Sequence, residues 1–312
     1  MLLSIWNTSK AQENLVPNGS FEEYNWCPNW SGFYIDACKF WTSPTLGTPD
    51  YFNRCSVEYD LTLESYMFSV PQNYYGTMDA IEGNAYGGFV FGQNEVGSQT
   101  YSEYLQIKLK EPLIDGGLYE LKFFLHNPKT NYCINSVGAL FTSNELNLNT
   151  EEVIPSIPQI QSNPNVYFCD TTKWYEVKET FIANGGERFL TLGVFKKLPE
   201  LKVIDYQGNE ILEFPSAYFF IDDISLKKVE INLGNVFTPN GDGINDTYYI
   251  NLENIGAQNA KILNRWGEIV YSSDTILDWD GTSNNKLCKE GVYFIKIQFK
   301  KNILNGFIHL IR

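Results

Sequence analysis

From Tyr101 onward, apolar and polar positions alternate with a period of two. Tyr104-Leu-Gln-Ile-Lys-Leu, Tyr119-Glu-Leu-Lys-Phe-Phe-Leu and Val137-Gly-Ala-Leu-Phe-Thr each read as half-buried strands. Asp115-Gly-Gly marks a turn before the second of these. Trp174–Ala183 and Arg188–Phe195 follow as a hairpin around Asn184-Gly-Gly, and Ala217–Val229 as a long last strand. Residues 144–170, broken by Pro155, Pro158 and Pro164, form an excursion. Residues 24–100 hold many Gly, Pro and aromatic residues with weak periodicity, so loops and short strands are expected. A short strand is expected at Leu15–Glu22, turning at Pro17–Gly19. Helical periodicity is almost absent. The pattern predicts an all-β protein whose N-terminal domain is a β-sandwich jelly roll.

After Val229 a second set of strands appears: Tyr248–Asn251, Ala260–Asn264, Ile269–Ser272, Val292–Phe299 and Ile303–Ile311. A segment this short with such strands suits a small immunoglobulin-like β-sandwich. In its Val292–Phe299 strand, Tyr293, Ile295, Ile297 and Phe299 share the core face, and Val292, Phe294, Lys296 and Gln298 face solvent. Trp266 and Trp279, each beside a tight turn, are expected in the core.

Composition sharpens the division. The chain has 312 residues, 15% aromatic, with 24 glycines and 13 prolines, which suits a turn-rich β protein. Its net charge is −14. Gly234–Arg312 carries eight basic and eight acidic residues, so the whole excess lies in residues 1–233. That shift supports a boundary near 230–236, between a domain at 14–229 and one at 232–312. The acidity argues against nucleic acid, whose phosphates need a basic surface, and against anionic lipid. No apolar run is long enough to span a membrane. Residues 1–12 read as a degenerate or truncated export signal, cleaved near Ala11 or Gln12.

Six cysteines are present and none forms a Cys-x-x-Cys pair, which argues against zinc. Five lie in the first 170 residues among aromatic, turn-rich segments, and point to disulfides in an oxidising compartment. Spacing alone chooses no pairing. The favoured pairs are Cys27–Cys55 and Cys133–Cys169, with buried free thiols as the alternative.

Nothing reads as a catalytic constellation. Only His126 and His309 are available as imidazole bases, and no Gly-x-Ser-x-Gly is present. Carboxylate pairs for glycoside hydrolysis stay open, because acidic residues are plentiful. One loop offers a metal reading: Asn240, Asp242 and Asp246 in Asn240-Gly-Asp-Gly-Ile-Asn-Asp place oxygens at alternate positions with glycines for a sharp turn, as a calcium loop does. It lacks the closing Glu and flanking helices of an EF-hand, and the plainer reading is an Asx-rich turn.

That loop lies in the stretch Phe237–Ile250, which is followed by Asn264-Arg-Trp-Gly-Glu-Ile-Val-Tyr, Trp279-Asp-Gly, Glu290-Gly-Val-Tyr-Phe-Ile-Lys-Ile and the terminal Ile308-His-Leu-Ile-Arg. In this order the series resembles the type B, gliding motility-associated C-terminal sorting domain of the type IX secretion system, over Asn232–Arg312. The resemblance implies a route. A cleavable signal leads to the periplasm, the C-terminal domain is recognised by the outer-membrane translocon and its shuttle proteins, and the protein ends outside the cell, anchored or released. Cys288, just ahead of the Glu290-Gly-Val-Tyr strand, departs from the pattern.

Asn14-Leu-Val-Pro-Asn-Gly-Ser-Phe-Glu at one end and Phe219-Phe-Ile-Asp-Asp-Ile-Ser-Leu at the other, with Trp174 and Gly185-Gly-Glu-Arg-Phe-Leu-Thr-Leu between, resemble galactose-binding-like jelly rolls that serve as carbohydrate-binding modules. That resemblance implies a structural calcium where the first and last strands meet. Glu22 and Asp222 would be its side-chain ligands, Ser20 would give a carbonyl, and Asp223 lies beside them. The plainer reading has the paired aspartates facing solvent or capping a loop. It also implies a glycan ligand stacked on exposed rings, with Trp26, Trp30, Tyr34, Tyr74, Tyr75 and Tyr86 as loop candidates and Trp41 and Trp174 as core. Three function classes follow: a non-catalytic carbohydrate-binding module, a structural surface protein or adhesin that recognises a protein, and a polysaccharide hydrolase or lyase.

Overall fold

The computed structural model describes residues 13–29, 34–59, 66–93, 100–129, 132–197, 200–205, 207–210, 216–231, 233–299 and 303–312. The expected export signal at 1–12 lies outside them. The chain divides into two compact units. The first takes in residues to Leu113, Glu120–Lys178 and Gly186–Lys228. The second takes in Val229–Arg312 together with the short segments Ile114–Tyr119 and Glu179–Gly185.

The strands lying wholly or mostly in the first unit are β1 (Trp41–Thr42), β2 (Asp50–Asn53), β3 (Ala85–Gln93), β4 (Thr100–Ser102), β5 (Tyr104–Lys108), β6 (Leu118–His126), β7 (Cys133–Ile134), β8 (Gly138–Thr142), β9 (Ile160–Gln161), β10 (Tyr175–Ile182), β11 (Phe189–Gly193), β12 (Val203–Ile204) and β13 (Ser216–Lys228), with the start of β6 and the end of β10 falling in the second. They form two main sheets, ordered β1-β5-β11-β8-β9 and β10-β6-β13-β3-β2, with β4 on β3. Neighbours in sequence are repeatedly split between the sheets, as in a jelly roll. Helical pieces are few among the described residues and include a 3-10 turn at Ile35–Ala37 and one short helix, α1 (Cys55–Tyr59).

The alternation in β6 matches its burial, with Leu121, Phe123 and Leu125 buried and Lys122 and Phe124 half-buried between them. β3 departs from that rule. Its sequence, AYGGFVFGQ, is apolar on both faces because both faces are covered. Gly87 faces the other sheet, since a Cβ there would lie 2.8 Å from Leu105 on β5. Tyr51, paired with Gly87, and Phe89 and Phe219, paired with each other, point the same way. One position on, Gly88 faces outward with Asp50, Phe52, Tyr86, Tyr218 and Phe220. Phe52, Val70, Tyr86, Tyr218 and Phe220 make a second buried cluster there, with Tyr75, Met78 and Trp174 packed on it. Residues 66–80 supply several of these covering side chains.

Two disulfides staple the unit, Cys27–Cys55 and Cys133–Cys169, with Cα separations of 5.9 and 5.1 Å. They are the two expected pairs. Cys38 and Cys288 are free.

In the second unit β14 (Val236–Phe237), β15 (Tyr248–Asn251), β16 (Asn259–Leu263), β17 (Ile269–Ser273), β18 (Ile276–Trp279), β19 (Thr282–Ser283), β20 (Lys286–Leu287), β21 (Gly291–Gln298) and β22 (Ile303–Leu310) follow in order. A five-stranded sheet, β14-β22-β21-β16-β17, packs against the β15-β18 ladder. β14 runs parallel to β22 and the other described pairs are antiparallel. Phe237, Ile250, Ile262, Leu277, Trp279, Ile295 and Ile308 fill the space between. The small sandwich expected from sequence is present, and Tyr293, Ile295, Ile297 and Phe299 are its buried face.

Three expectations are corrected. Leu15–Glu22 is not a strand: its backbone turns, held by Asn14, whose side chain donates to Ile224 O and accepts from Val16 N and Leu226 N. Residues 24–100 contain a nine-residue central strand, β3, whose three glycines hide its periodicity. Trp266 is 75% exposed rather than core. It sits at the tip of the β16–β17 turn, where Asn264 Oδ1 accepts from the amides of Trp266 and Glu268 and the Arg265 guanidinium lies over its ring.

Candidate functional site

The outward face of the β2 edge opens into a cavity of about 420 Å³, lined by Tyr34, Asp50, Phe52, Met67, Phe68, Tyr74 and Tyr75. Local chemistry places each element. Asp50 and Phe52 alternate outward along β2, and Tyr34 bridges to Asp50 in a single antiparallel contact. Asn73 shapes the wall: its side-chain oxygen caps the amides of Tyr75 and Gly76, and its amide donates to the Tyr86 hydroxyl at 2.7 Å. This Asx turn presents Tyr74 and Tyr75 as an edge-to-face pair. Tyr75 stacks on Tyr218, with ring centroids 3.5 Å apart.

Asp50 is the one charged group among the described lining residues and is 7% exposed. The Tyr218 hydroxyl donates to its Oδ2 at 2.5 Å, and the Tyr75 hydroxyl also bonds it. Tyr218 reaches Asp50 across Gly88, where a Cβ would lie 2.2 Å from the hydroxyl oxygen. Gly88 is therefore required by close approach. Burial raises the Asp50 carboxyl from 3.8 to about 7, and the negative charge of nearby Glu103 adds to the shift. Glu103 is itself 4% exposed and raised by burial, although the amides of Thr48 and Val90 and the hydroxyls of Thr48 and Tyr101 all donate to it. Among the described residues neither acid has an ion-pair partner.

Of the six ring candidates, Tyr34, Tyr74 and Tyr75 come together in this cavity. Trp26 is exposed beside Cys27 but is not part of the lining. Trp30 lies outside the described residues. Tyr86 is corrected: it sits on β3, is wholly buried against Phe52 and Phe220, and offers no free face. Trp41 is buried and Trp174 half-buried, its indole donating to Asp79 O. Sequence reasoning missed Asp50, Phe52, Met67 and Phe68. The only available signal was Asp50-Tyr-Phe after Thr48-Pro, an acid followed by two rings.

In the second unit, the fold and all five sequence motifs now stand together. Residues 231–310 match the CHU_C type IX secretion signal domain. The signal domain marks a secreted cargo and implies export to the cell surface or exterior. Among the described residues no helix is long and apolar enough to cross a membrane. A search of curated proteins finds no match. Solved structures give distant likenesses. The CBM22-1 xylan-binding domain of Xyn10C from Paenibacillus barcinonensis is 10% identical, covering 72% of this chain and 99% of that one, with a TM-score of 0.34. TmCBM61, in complex with β-1,4-galactotriose, is 14% identical over 70% and 99%, with a TM-score of 0.31. The K3 cleaved adhesin domain of Lys-gingipain from Porphyromonas gingivalis W83 is 11% identical over 62% and 96%, with a TM-score of 0.31. The jelly-roll architecture rests on the strand pairing above.

The loop of the signal domain that suggested calcium turns its oxygens onto its own backbone. Asp246 accepts from the amides of Gly241 and Gly243, which holds its carboxyl below the usual range. Asn240 accepts from Asp242 N, and Asp242 from Ile244 N. The Asx-turn reading accounts for the sequence. The second candidate, in the jelly roll, is more informative. Asp222 is wholly buried and accepts from the amides of Ile81, Glu82 and Asp223, yet burial still lifts its carboxyl to about 8. Glu22 accepts from Asn84 N, and burial raises it too. The first and last segments thus do converge, on the 81–84 loop. Ser20 is half-buried, and Asp223 pairs with Lys122 at 2.6 Å. Amide nitrogens, which donate rather than ligate, are the partners found around Glu22 and Asp222. Among the described residues no cluster of three acidic, His or Cys side chains is set to hold a metal. A calcium ion here would take these two acids and would need further oxygens, such as the Ser20 carbonyl and water, to complete its sphere.

His126 is buried and stacked between Trp174 and Phe220, with Nδ1 against Lys173 O, and burial lowers its pKa. His309 is on the exposed face of β22. Neither is part of the described cavity lining.

Proposed function

We propose that the protein is a secreted binding module, carried out by its signal domain and read by the outer-membrane translocon and its shuttle proteins, whose jelly roll holds a glycan in the Tyr34–Tyr74–Tyr75 cavity without turning it over. The observation that supports this most is the cavity itself. Its volume suits one to a few sugar rings, and its walls are mainly aromatic with a single carboxyl at the floor. Apolar ring faces stack on sugar C–H surfaces, while a buried carboxyl and phenol hydroxyls fix orientation. Among the described residues the lining holds one carboxyl, and Glu103 is held by four donors of its own, which supports a binding rather than a hydrolytic reading.

The test is binding of purified protein to a polysaccharide panel, followed by reducing-end assay of every bound sugar. One sugar class is expected to bind saturably with no product formed. Tyr74→Ala, which removes an exposed wall, is expected to weaken binding roughly tenfold or more, in line with about 1–3 kcal/mol for a stacked ring. Product release from any member of the panel overturns the non-catalytic reading, and silence across the panel moves the weight to a protein ligand.

A further inference from the structure

Asp50 and Glu103 place two carboxyls close together under an aromatic cavity, and among the described residues nothing cationic is paired with either. Buried acids are ordinarily paired, because removing a carboxylate from water costs several kcal/mol unless a counter-charge returns it. Glu103 is satisfied by four donors from the chain. Among the described residues Asp50 is held by the two phenol hydroxyls of Tyr218 and Tyr75, and it lines the open cavity. The walls above it are ring faces of the kind that attract cations. The chain gives a sample of that attraction. Lys129 Nζ lies 5.5 Å from the Tyr74 centroid and 5.1 Å from the Tyr75 centroid, although Lys129 is not part of the cavity lining. Since Tyr218 occupies one face of Tyr75, this ammonium lies over the other.

We propose that the cavity selects a saccharide carrying a free ammonium group, which sits against Tyr34 and Tyr74 with its N–H groups on Asp50. This rests on the glycan reading above and names the chemistry of its ligand. A neutral sugar uses the rings but leaves the acid without a counter-charge. An amino sugar uses both. The carboxylate then accepts a charge-assisted hydrogen bond, roughly twice as strong as a neutral one. Tyr218 and Tyr75 hold the Asp50 carboxyl in place by hydrogen bonding to it. An acidic sugar is disfavoured, because its carboxylate would meet Asp50 with Glu103 behind it.

The test is calorimetry on the full chain with a glucosamine oligomer and its fully N-acetylated counterpart near pH 7, where the amine still carries charge and Asp50, raised to about 7, can ionise against it. A lysine-rich peptide and a neutral glucan of equal length serve as further ligands. The glucosamine oligomer is expected to bind about tenfold more tightly than the acetylated one, and Asp50→Asn is expected to bring the two to equal affinity. The comparison within the unsubstituted protein stands whether or not the variant folds. Equal affinity of the two oligomers in that protein overturns the ammonium assignment and leaves the glycan reading in place. Binding of the peptide but of none of the saccharides overturns both.

Discussion

Two buried aspartates make a prediction about pH. Asp50 is raised to about 7 and Asp222 to about 8, each chiefly by burial, from an ordinary 3.8. The folded state therefore holds these protons more tightly than the unfolded state. Their contribution to stability is full below the unfolded value and is lost as pH rises through about 7 to 8. A shift of this size on Asp50 is worth at most about 4 kcal/mol, at 1.36 kcal/mol per unit. The melting temperature is expected to fall between pH 5 and 8, and Asp50→Asn is expected to flatten that fall while keeping an acceptor for Tyr218. An unchanged slope in the variant removes Asp50 as the cause. Calcium competes for the second group: bound at Glu22 and Asp222, it would hold both acids ionised. Chelator then lowers the melting temperature by several degrees, because a ligand bound only to the native state stabilises it. No shift assigns both carboxylates to their amide partners alone. The resemblance named Glu22 and Asp222 and expected the first and last segments to meet there; the residues 81–84 whose amides hold both acids were not legible, because that loop is brought in by the fold.

At the scale of elements, the site depends on a crossing of two strands. Gly88 has no side chain, so Tyr218 on β13 can pass over β3 to Asp50 on β2. A methyl group at Gly88 would meet the Tyr218 hydroxyl oxygen at 2.2 Å and Phe52 at 2.8 Å. Gly88→Ala is expected to cost about 1–3 kcal/mol, the usual range for overpacking. Tyr218→Phe removes the nearest atom of that clash, so denaturant melts should show the double variant costing less than the two single costs summed. Strict additivity would place the strain elsewhere. The same glycines explain why β3 was not legible. Periodicity marks a strand whose faces differ, and β3 is covered on both faces and lacks side chains where neighbours cross it. β6 and β21 have one core face and one wetter face, and their alternation identified them directly. The cavity falls between these cases. Tyr34, Tyr74 and Tyr75 were named as ring-bearing loops, but their meeting with Asp50 depends on the outward face of β2, for which no local pattern exists.

At the scale of the whole molecule, the proposed division of binding from delivery between the two units can be tested on export. The signal domain is a closed sandwich around Trp279, which is fully buried, in ring contact with Phe237 and Tyr293, and donates its indole N–H to Thr282 O. Removing residues 231–312 is expected to leave the protein in the periplasm, with the disulfide-stapled jelly roll folded. Trp279→Ala asks the finer question. It keeps the loop at Asn240–Asp246 and the Glu290-Gly-Val-Tyr strand in sequence but removes the centre of the core, at a cost of about 3–5 kcal/mol. A small domain has little more stability than that to lose. If the translocon reads a folded surface, the variant is retained like the deletion, while near-surface Trp266→Ala leaves export unchanged unless that ring belongs to the surface being read. Cell fractionation of the three variants separates these cases. Retention of Trp279→Ala with a protease-sensitive signal domain assigns recognition to the fold. Normal export of a chain whose signal domain is unfolded assigns it to the linear motifs that first marked this segment in the sequence.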